Sequence, residues 1–275
     1  MKIASKKVKI GIVGCGAIGS RIARSVSKDL SHECRLSGLY DINPLKSQEL
    51  SRELKGKNMI KNSLKELISA CDFVIEAVNS NATRTIVKKA LEKKRSVLAM
   101  SAGKLLNSKE LFHLAEKNKC VIILPSGAIS GLDAVKAASQ ASISSVTLTT
   151  RKPPSGFARS VHIQERGINL DNIKKETTLF EGDVDTAVKL FPENINVAAT
   201  LALACGVKSK VRVRIITAPD FKRNSHEIDM TGDFGRMVTR TENVVCPDNP
   251  KTSYLAVLSA IQTLKQHFQM VRIGT

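Results

Sequence analysis

The chain has 275 residues, 42% of them hydrophobic, which is enough apolar material for one large domain or two modest ones and excludes a disordered protein. No apolar run reaches the roughly 18 residues needed to span a membrane, and the opening MKIASKKVKI has no apolar stretch of signal-peptide length, so a cytoplasmic protein without a membrane partner is expected. A formal charge of +18 favours anionic ligands, but aromatic residues are only 4%, Trp is absent and the lysines are dispersed, which argues against nucleic acid as a partner.

The densest basic cluster, Lys2, Lys6, Lys7 and Lys9, reads as a solvated leader to a first strand. Up to about residue 125, short apolar runs alternate with amphipathic stretches: Val8 to Val13, Arg35 to Tyr40, Phe73 to Val78, Ser96 to Met100 and Val121 to Leu124. That alternation is the signature of βαβ units and predicts an α/β protein whose residues 1–125 form a doubly wound parallel sheet, a Rossmann domain. The first helix is expected from about Ile18 to Leu30, with Ile18, Ile22 and Val26 on its packed face and Arg21, Arg24 and Lys28 on the other.

After Pro125 the texture changes. Val146 to Thr150 reads as a strand, Arg151 to Ser155 as a Pro-bearing loop, and a polar, poorly periodic stretch follows to about Phe180. Asp183 to Leu190 and Val197 to Cys205 read as helices, the second closed by Gly206 in a left-handed cap. Val211 to Ile216, His226 to Thr231 and Arg236 to Glu242 alternate like strands, so residues 126–249 are expected to form a second, α+β domain with a mostly antiparallel sheet. A last helix is expected from about Pro250 to His267, with Asn249 as N-cap.

Gly14-Cys15-Gly16-Ala17-Ile18-Gly19 follows the first strand and opens the first helix. A glycine motif alone is weak evidence, but this context is the one a dinucleotide needs. Gly14 allows the tight turn, Gly16 lets backbone amides approach a pyrophosphate, and Gly19 lets helix and strand pack closely. Asp41 ends the second strand, 22 residues beyond Gly19, where a carboxylate hydrogen-bonds the adenosine ribose of NAD and repels the 2′-phosphate of NADP. Lys46 and Arg52 lie near enough in sequence to leave NADP open. Asn79 to Ala82 and Ser101 to Lys104 follow the third and fourth strands and are candidates to line the nicotinamide pocket. The six cysteines form no CxxC pair and no metal-ligand spacing, so no metal is expected; they read as reduced, mostly buried thiols, Cys15 among them.

Five further stretches carry a more specific signal. They are Leu124-Pro125-Ser126-Gly127-Ala128-Ile129-Ser130-Gly131-Leu132-Asp133, Thr149 to Pro154, Phe191 to Ala199, Asn224-Ser225-His226-Glu227-Ile228 with Gly232 to Gly235, and Asn249 to Tyr254. In this order, over almost the whole chain, the sequence resembles the L-aspartate dehydrogenases. The resemblance implies oxidation of L-aspartate by NAD or NADP to iminoaspartate, which yields oxaloacetate and ammonia or passes to quinolinate in NAD biosynthesis. It implies that Ala128 and Asn196 contact the cofactor and that His226 is the catalytic residue. It also implies that residues 126–249 carry the substrate site and the contacts of a homodimer, while residues 250–275 pack back on the Rossmann domain. Compared with compact members, extra residues are expected at the N-terminus and around Gly156 to Thr177.

His226 begins a strand-like run in which its ring would share a face with Ile228 and Met230. His32, His113, His162 and His267 have no such context. Hydride leaves the Cα of an amino acid only when the amine is neutral, so a neutral imidazole beside the nitrogen suits the chemistry. Arg151, Lys152 and Lys104 are candidate donors to the substrate carboxylates. Two other readings fit the fold: a homoserine dehydrogenase-like or dihydrodipicolinate reductase-like enzyme, and a non-catalytic dinucleotide-sensing protein.

Overall fold

The structure, a computed structural model, describes residues 7–78, 80–158, 160–192, 196–247 and 249–274. Lys2, Lys6, Asn79 and residues 193–195 therefore lie outside the described residues. The chain divides into two compact units, residues 1–125 with 260–272, and residues 126–259 with 273–275.

The first unit runs β1 (Val8–Val13), α1 (Ala17–Lys28), β2 (Cys34–Tyr40), α2 (Pro44–Glu53), α3 (Leu64–Ala70), β3 (Phe73–Glu76), α4 (Thr83–Glu92), β4 (Ser96–Ala99), α5 (Ala102–Leu105), α6 (Lys109–Asn118) and β5 (Ile122–Ile123). The strands form one sheet in the order β2-β1-β3-β4-β5, all parallel. A parallel sheet is covered on both faces, which is why its strands read as near-continuous apolar runs. Ile10, Ile12, Ile75 and Leu98 pack on one side with Ile22 and Val26 of α1. Val74, Val97 and Ala99 pack on the other with Leu67, Val87, Leu91 and Leu111. Consecutive strands β1 and β2 lie to one side and β3 to the other, so the sheet has its switch point beside β1, where open α/β sheets bind ligands.

The second unit runs α7 (Leu132–Ala138), β6 (Ile143–Lys152), α8 (Val161–Glu165), β7 (Thr177–Asp183), α9 (Val184–Leu190), α10 (Asn196–Cys205), β8 (Val211–Thr217), β9 (Asn224–Gly232), β10 (Gly235–Asn243), β11 (Val245–Cys246) and β12 (Asn249–Ser253), and it holds the start of α11 (Tyr254–Phe268). Its main sheet has the order β10-β9-β6-β8-β7, antiparallel except between β6 and β8. Register sets Val146, Leu148 and Thr150 of β6 beside Met230, Ile228 and His226 of β9, on one face. Helix α10 is buried along almost its whole length and stops where Gly206 takes φ +68°.

Three expectations are corrected. Arg151 and Lys152 continue strand β6, so the loop begins only at Pro153. The stretch taken as irregular to Phe180 contains α8 and most of β7, which is held by antiparallel pairing with β8. The last helix begins at Tyr254, not Pro250, because Asn249–Ser253 pairs as a strand with β11; a residue preceding proline favours extended backbone. Beyond that start, Ala260 and Leu264 of α11 are buried in the core of the first unit.

Candidate active site

In the first unit the three motif glycines do three different things. Gly14 has φ +94°, and a Cβ there would lie 2.5 Å from the Ala77 carbonyl oxygen. At Gly19 a Cβ would lie 1.8 Å from the Gly14 carbonyl oxygen, so helix and strand close only on a glycine. At Gly16, by contrast, a Cβ would meet nothing within 4 Å. Gly16 caps α1 without a side-chain hydrogen bond, so no cap side chain occupies the first-turn amides, which begin with Ala17 and Ile18. Uncapped amides at a helix N-terminus beneath an open glycine fit a pyrophosphate.

The Asp41 carboxylate is fixed at the mouth of this turn. Its Oδ2 accepts from the Cys15 amide at 2.7 Å and its Oδ1 from the Asn43 amide at 2.9 Å. A carboxylate oxygen accepts more than one hydrogen bond, so each retains capacity for a ribose hydroxyl. Burial, reinforced by the charge of Asp41, pushes the Cys15 thiol up to about 12, which makes it an unreactive filler.

The loops after β3 and β4 are joined by a residue that sequence reading missed. Glu76 is 0% exposed. Its Oε1 accepts from the Val78 amide (3.1 Å), Thr83 Oγ1 (3.0 Å) and Ser101 Oγ (3.0 Å), and its Oε2 from the Ser101 amide (3.2 Å). Burial raises its pKa and these donors oppose the rise. The available signal was an acid inside the apolar run Phe73 to Val78. Lys104 Nζ donates to Asn81 Oδ1 at 2.9 Å, a second link between the same two loops.

In the second unit His226 is 5% exposed and lies between Thr150 of β6 and Thr241 of β10. Its Nδ1 is 3.0 Å from Thr150 Oγ1. Burial, and then the nearby Lys152 charge, push its pKa down to about 3, so the ring is neutral at ordinary pH. Strand alternation puts Lys152 on the same face as Thr150 and His226. Arg151 points to the opposite face, where it pairs with Glu227 at 3.3 Å.

Ala128 belongs to this neighbourhood. Its carbonyl accepts from Thr241 Oγ1 (2.8 Å) and Asn243 Nδ2 (3.1 Å), and Thr241 is the cross-strand partner of His226. A Cβ on the adjacent Gly127 would be 3.7 Å from Val197, which places the 127–128 turn against the first turn of α10, where the exposed Asn196 sits. The 127–128 turn, far from Asn196 and His226 in sequence, thus lies beside the first turn of α10 and beside the cross-strand partner of His226. The other histidines are elsewhere: His113 pairs with Glu116 on the surface, and the His162 and His267 rings pack on Phe191 and Phe73. Among the described residues no group of three or more His, Cys, Asp or Glu is placed to hold a metal ion, and no helix is long and apolar enough to cross a membrane.

A parallel sheet with this glycine turn and this acid at the end of β2 defines a nicotinamide-dinucleotide-binding protein of the Rossmann class, here extended by a second sheet-bearing unit. Two family descriptions match the chain: the NAD-binding domain of homoserine dehydrogenase over residues 14–125, and the C-terminal domain of aspartate dehydrogenase over residues 133–267. The L-aspartate dehydrogenase of Methanosarcina barkeri is 48% identical over 271 residues, covering 98% of this chain and all of that one. The chain belongs to the L-aspartate dehydrogenase family. In fold it is similar to the aspartate dehydrogenase of Thermotoga maritima, with a TM-score of 0.74 at 23% identity over 98% of this chain and 100% of that one. It is similar also to a homoserine dehydrogenase of Thiobacillus denitrificans, with a TM-score of 0.61 at 14% identity over 94% and 72%.

Proposed function

We propose that this protein oxidises L-aspartate with NAD or NADP to iminoaspartate, which hydrolyses to oxaloacetate and ammonia, and that it runs the reverse reductive amination. The observation that carries this reading is the full-length identity to a named L-aspartate dehydrogenase. The open glycine turn and His226 supply a physical basis for it. Bound nicotinamide supplies the hydride acceptor. Gly14, Gly16, Ala17, Ile18 and Gly19 hold the pyrophosphate, Asp41 holds the adenosine ribose, and Ala128 and Asn196 complete the cofactor surface. Because the Ala128 carbonyl is already occupied, its contribution is its amide or methyl.

His226 acts on the substrate amine. The Nδ1 contact with Thr150 Oγ1 admits the tautomer in which Nδ1–H donates, and in that tautomer Nε2 keeps its lone pair to take the amine proton or to orient the hydrolytic water. A base held down to about 3 is a weak one, and the substrate relieves part of the depression. When a substrate carboxylate pairs with Lys152, the smaller of the two causes of the depression is neutralised while the larger, burial, remains, so His226 is more basic in the loaded site than in the empty one. Arg151, on the far face, is not the carboxylate donor in this scheme, and Lys104 serves the loops of the first unit.

A homodimer built mainly through residues 126–249, a cytoplasmic location in keeping with six free thiols, and a role feeding NAD biosynthesis complete the reading. The test is a panel of amino and hydroxy acids with both cofactors, following the reduced nicotinamide. L-aspartate should be the preferred substrate, and preference for homoserine or turnover of no amino acid would refute the assignment. Light scattering should give twice the chain mass; an active monomer would refute the dimer.

A further inference from the structure

The Glu76 carboxylate has no place in the reaction described above, yet it is the most thoroughly buried charged side chain near the cofactor turn. It stands at the last residue of β3, level with Val13 of β1 and Ala99 of β4. Beyond that level the strands diverge into loops, and backbone amides lose their ladder partners. Glu76 supplies the missing acceptors for two of these amides, Val78 and Ser101, and gathers the hydroxyls of Thr83 at the start of α4 and Ser101 before α5. Ser101 Oγ also lies 2.8 Å from the Val78 carbonyl oxygen, so the two loops are tied at several atoms. The same segment touches the dinucleotide turn, since Ala77 and Val78 are the atoms that a side chain at Gly14 would strike. Sheet order gives this rim its role. Asp41 marks the adenosine side at β2 and the glycine turn at β1 holds the pyrophosphate, so the remaining half of the cofactor runs over the ends of β3 and β4.

We propose that Glu76 is a positioning residue: its buried carboxylate clasps the loops after β3 and β4 into the rim that seats the nicotinamide half of the cofactor. The inference rests on the dinucleotide reading of the glycine turn. It explains why a carboxylate rather than an amide stands here. Each oxygen accepts from a backbone N–H, so the amide nitrogen of a glutamine would face a donor in either orientation.

The experiment compares Glu76→Gln and Ser101→Ala with the full-length wild type, using calorimetric binding of NADH and of ADP-ribose, which lacks the nicotinamide. Wild type should bind NADH more tightly than ADP-ribose. Glu76→Gln should leave ADP-ribose affinity within about twofold and weaken NADH by about tenfold or more, the scale on which misplacement of a positioned group acts. Ser101→Ala, which keeps the backbone amide and removes only the hydroxyl, should shift the same ratio by a smaller factor, and it carries the test if Glu76→Gln does not fold. Equal weakening of both ligands, or an unchanged ratio in Ser101→Ala, would overturn the proposal by making Glu76 a general support of the sheet. A wild type that binds neither ligand would instead overturn the dinucleotide reading, and the proposal with it.

Discussion

Replacing His226 with Asn separates its two properties, packing and forced neutrality. Asn keeps a polar group near the Nδ1 position that meets Thr150 but loses the outer half of a ring that is 5% exposed. At about pH 7.5 the lost packing should lower stability by about 1 to 2 kcal/mol. The pH dependence works the other way. Because the folded pKa of His226, about 3, lies below its unfolded value of 6.5, its contribution is complete above 6.5 and is lost as pH falls toward 3. At about 1.4 kcal/mol per pH unit, wild type should have lost about 2 kcal/mol from this residue by about pH 5. The variant has no such group, so the two proteins should be equally stable near pH 5 and the variant the more stable below it. Urea unfolding of both at a series of pH values, followed by far-ultraviolet circular dichroism, measures the gap. A gap that stays constant between about pH 5 and pH 7.5 would refute the claim that the fold holds the imidazole neutral. The same variant should lose about two to four orders of magnitude in turnover of L-aspartate with little change in NADH affinity.

Asp41→Ala should shift the NAD to NADP ratio of catalytic efficiencies toward NADP by about tenfold or more, and an unchanged ratio removes Asp41 from the ribose site. Lys152→Met should raise the KM for L-aspartate by about tenfold or more, while Arg151→Met changes it much less; equal effects would contradict the assignment of the two side chains to opposite faces. In the native protein a maleimide should modify Cys120, the one thiol that is not buried, well before Cys15, and rapid loss of Cys15 would show that the glycine turn is more open than described.

Much of this protein is written locally. The strand runs of the first unit are legible because a parallel sheet buries both faces. The cofactor turn is legible because Gly14 and Gly19 meet separate steric demands and Gly16, at fixed spacing between them, leaves its space open, and Asp41 because the length of the intervening βα unit fixes its place. Helix α9 was legible from Asp183 to Leu190, and in the fold the Asp183 carboxylate caps it by accepting from the Thr186 amide at 2.8 Å, while the end of α10 was signalled by Gly206. Strand β7 was not legible, because TTLFEGD at the sheet edge alternates weakly and exists through its pairing with β8. The start of α11 differs from the expectation because good capping residues pair as a strand with β11. Only tertiary structure could choose Lys152 over Arg151, since the face each occupies depends on the register of β6 against β9. It alone brings Thr150 to His226 across 76 residues and Ser101 to Glu76 across 25. Sequence patterns carry the period of an element and the chemistry of its ends; which buried polar groups meet is decided by strand register and sheet order, because a buried donor or acceptor is stable only where the fold delivers its partner.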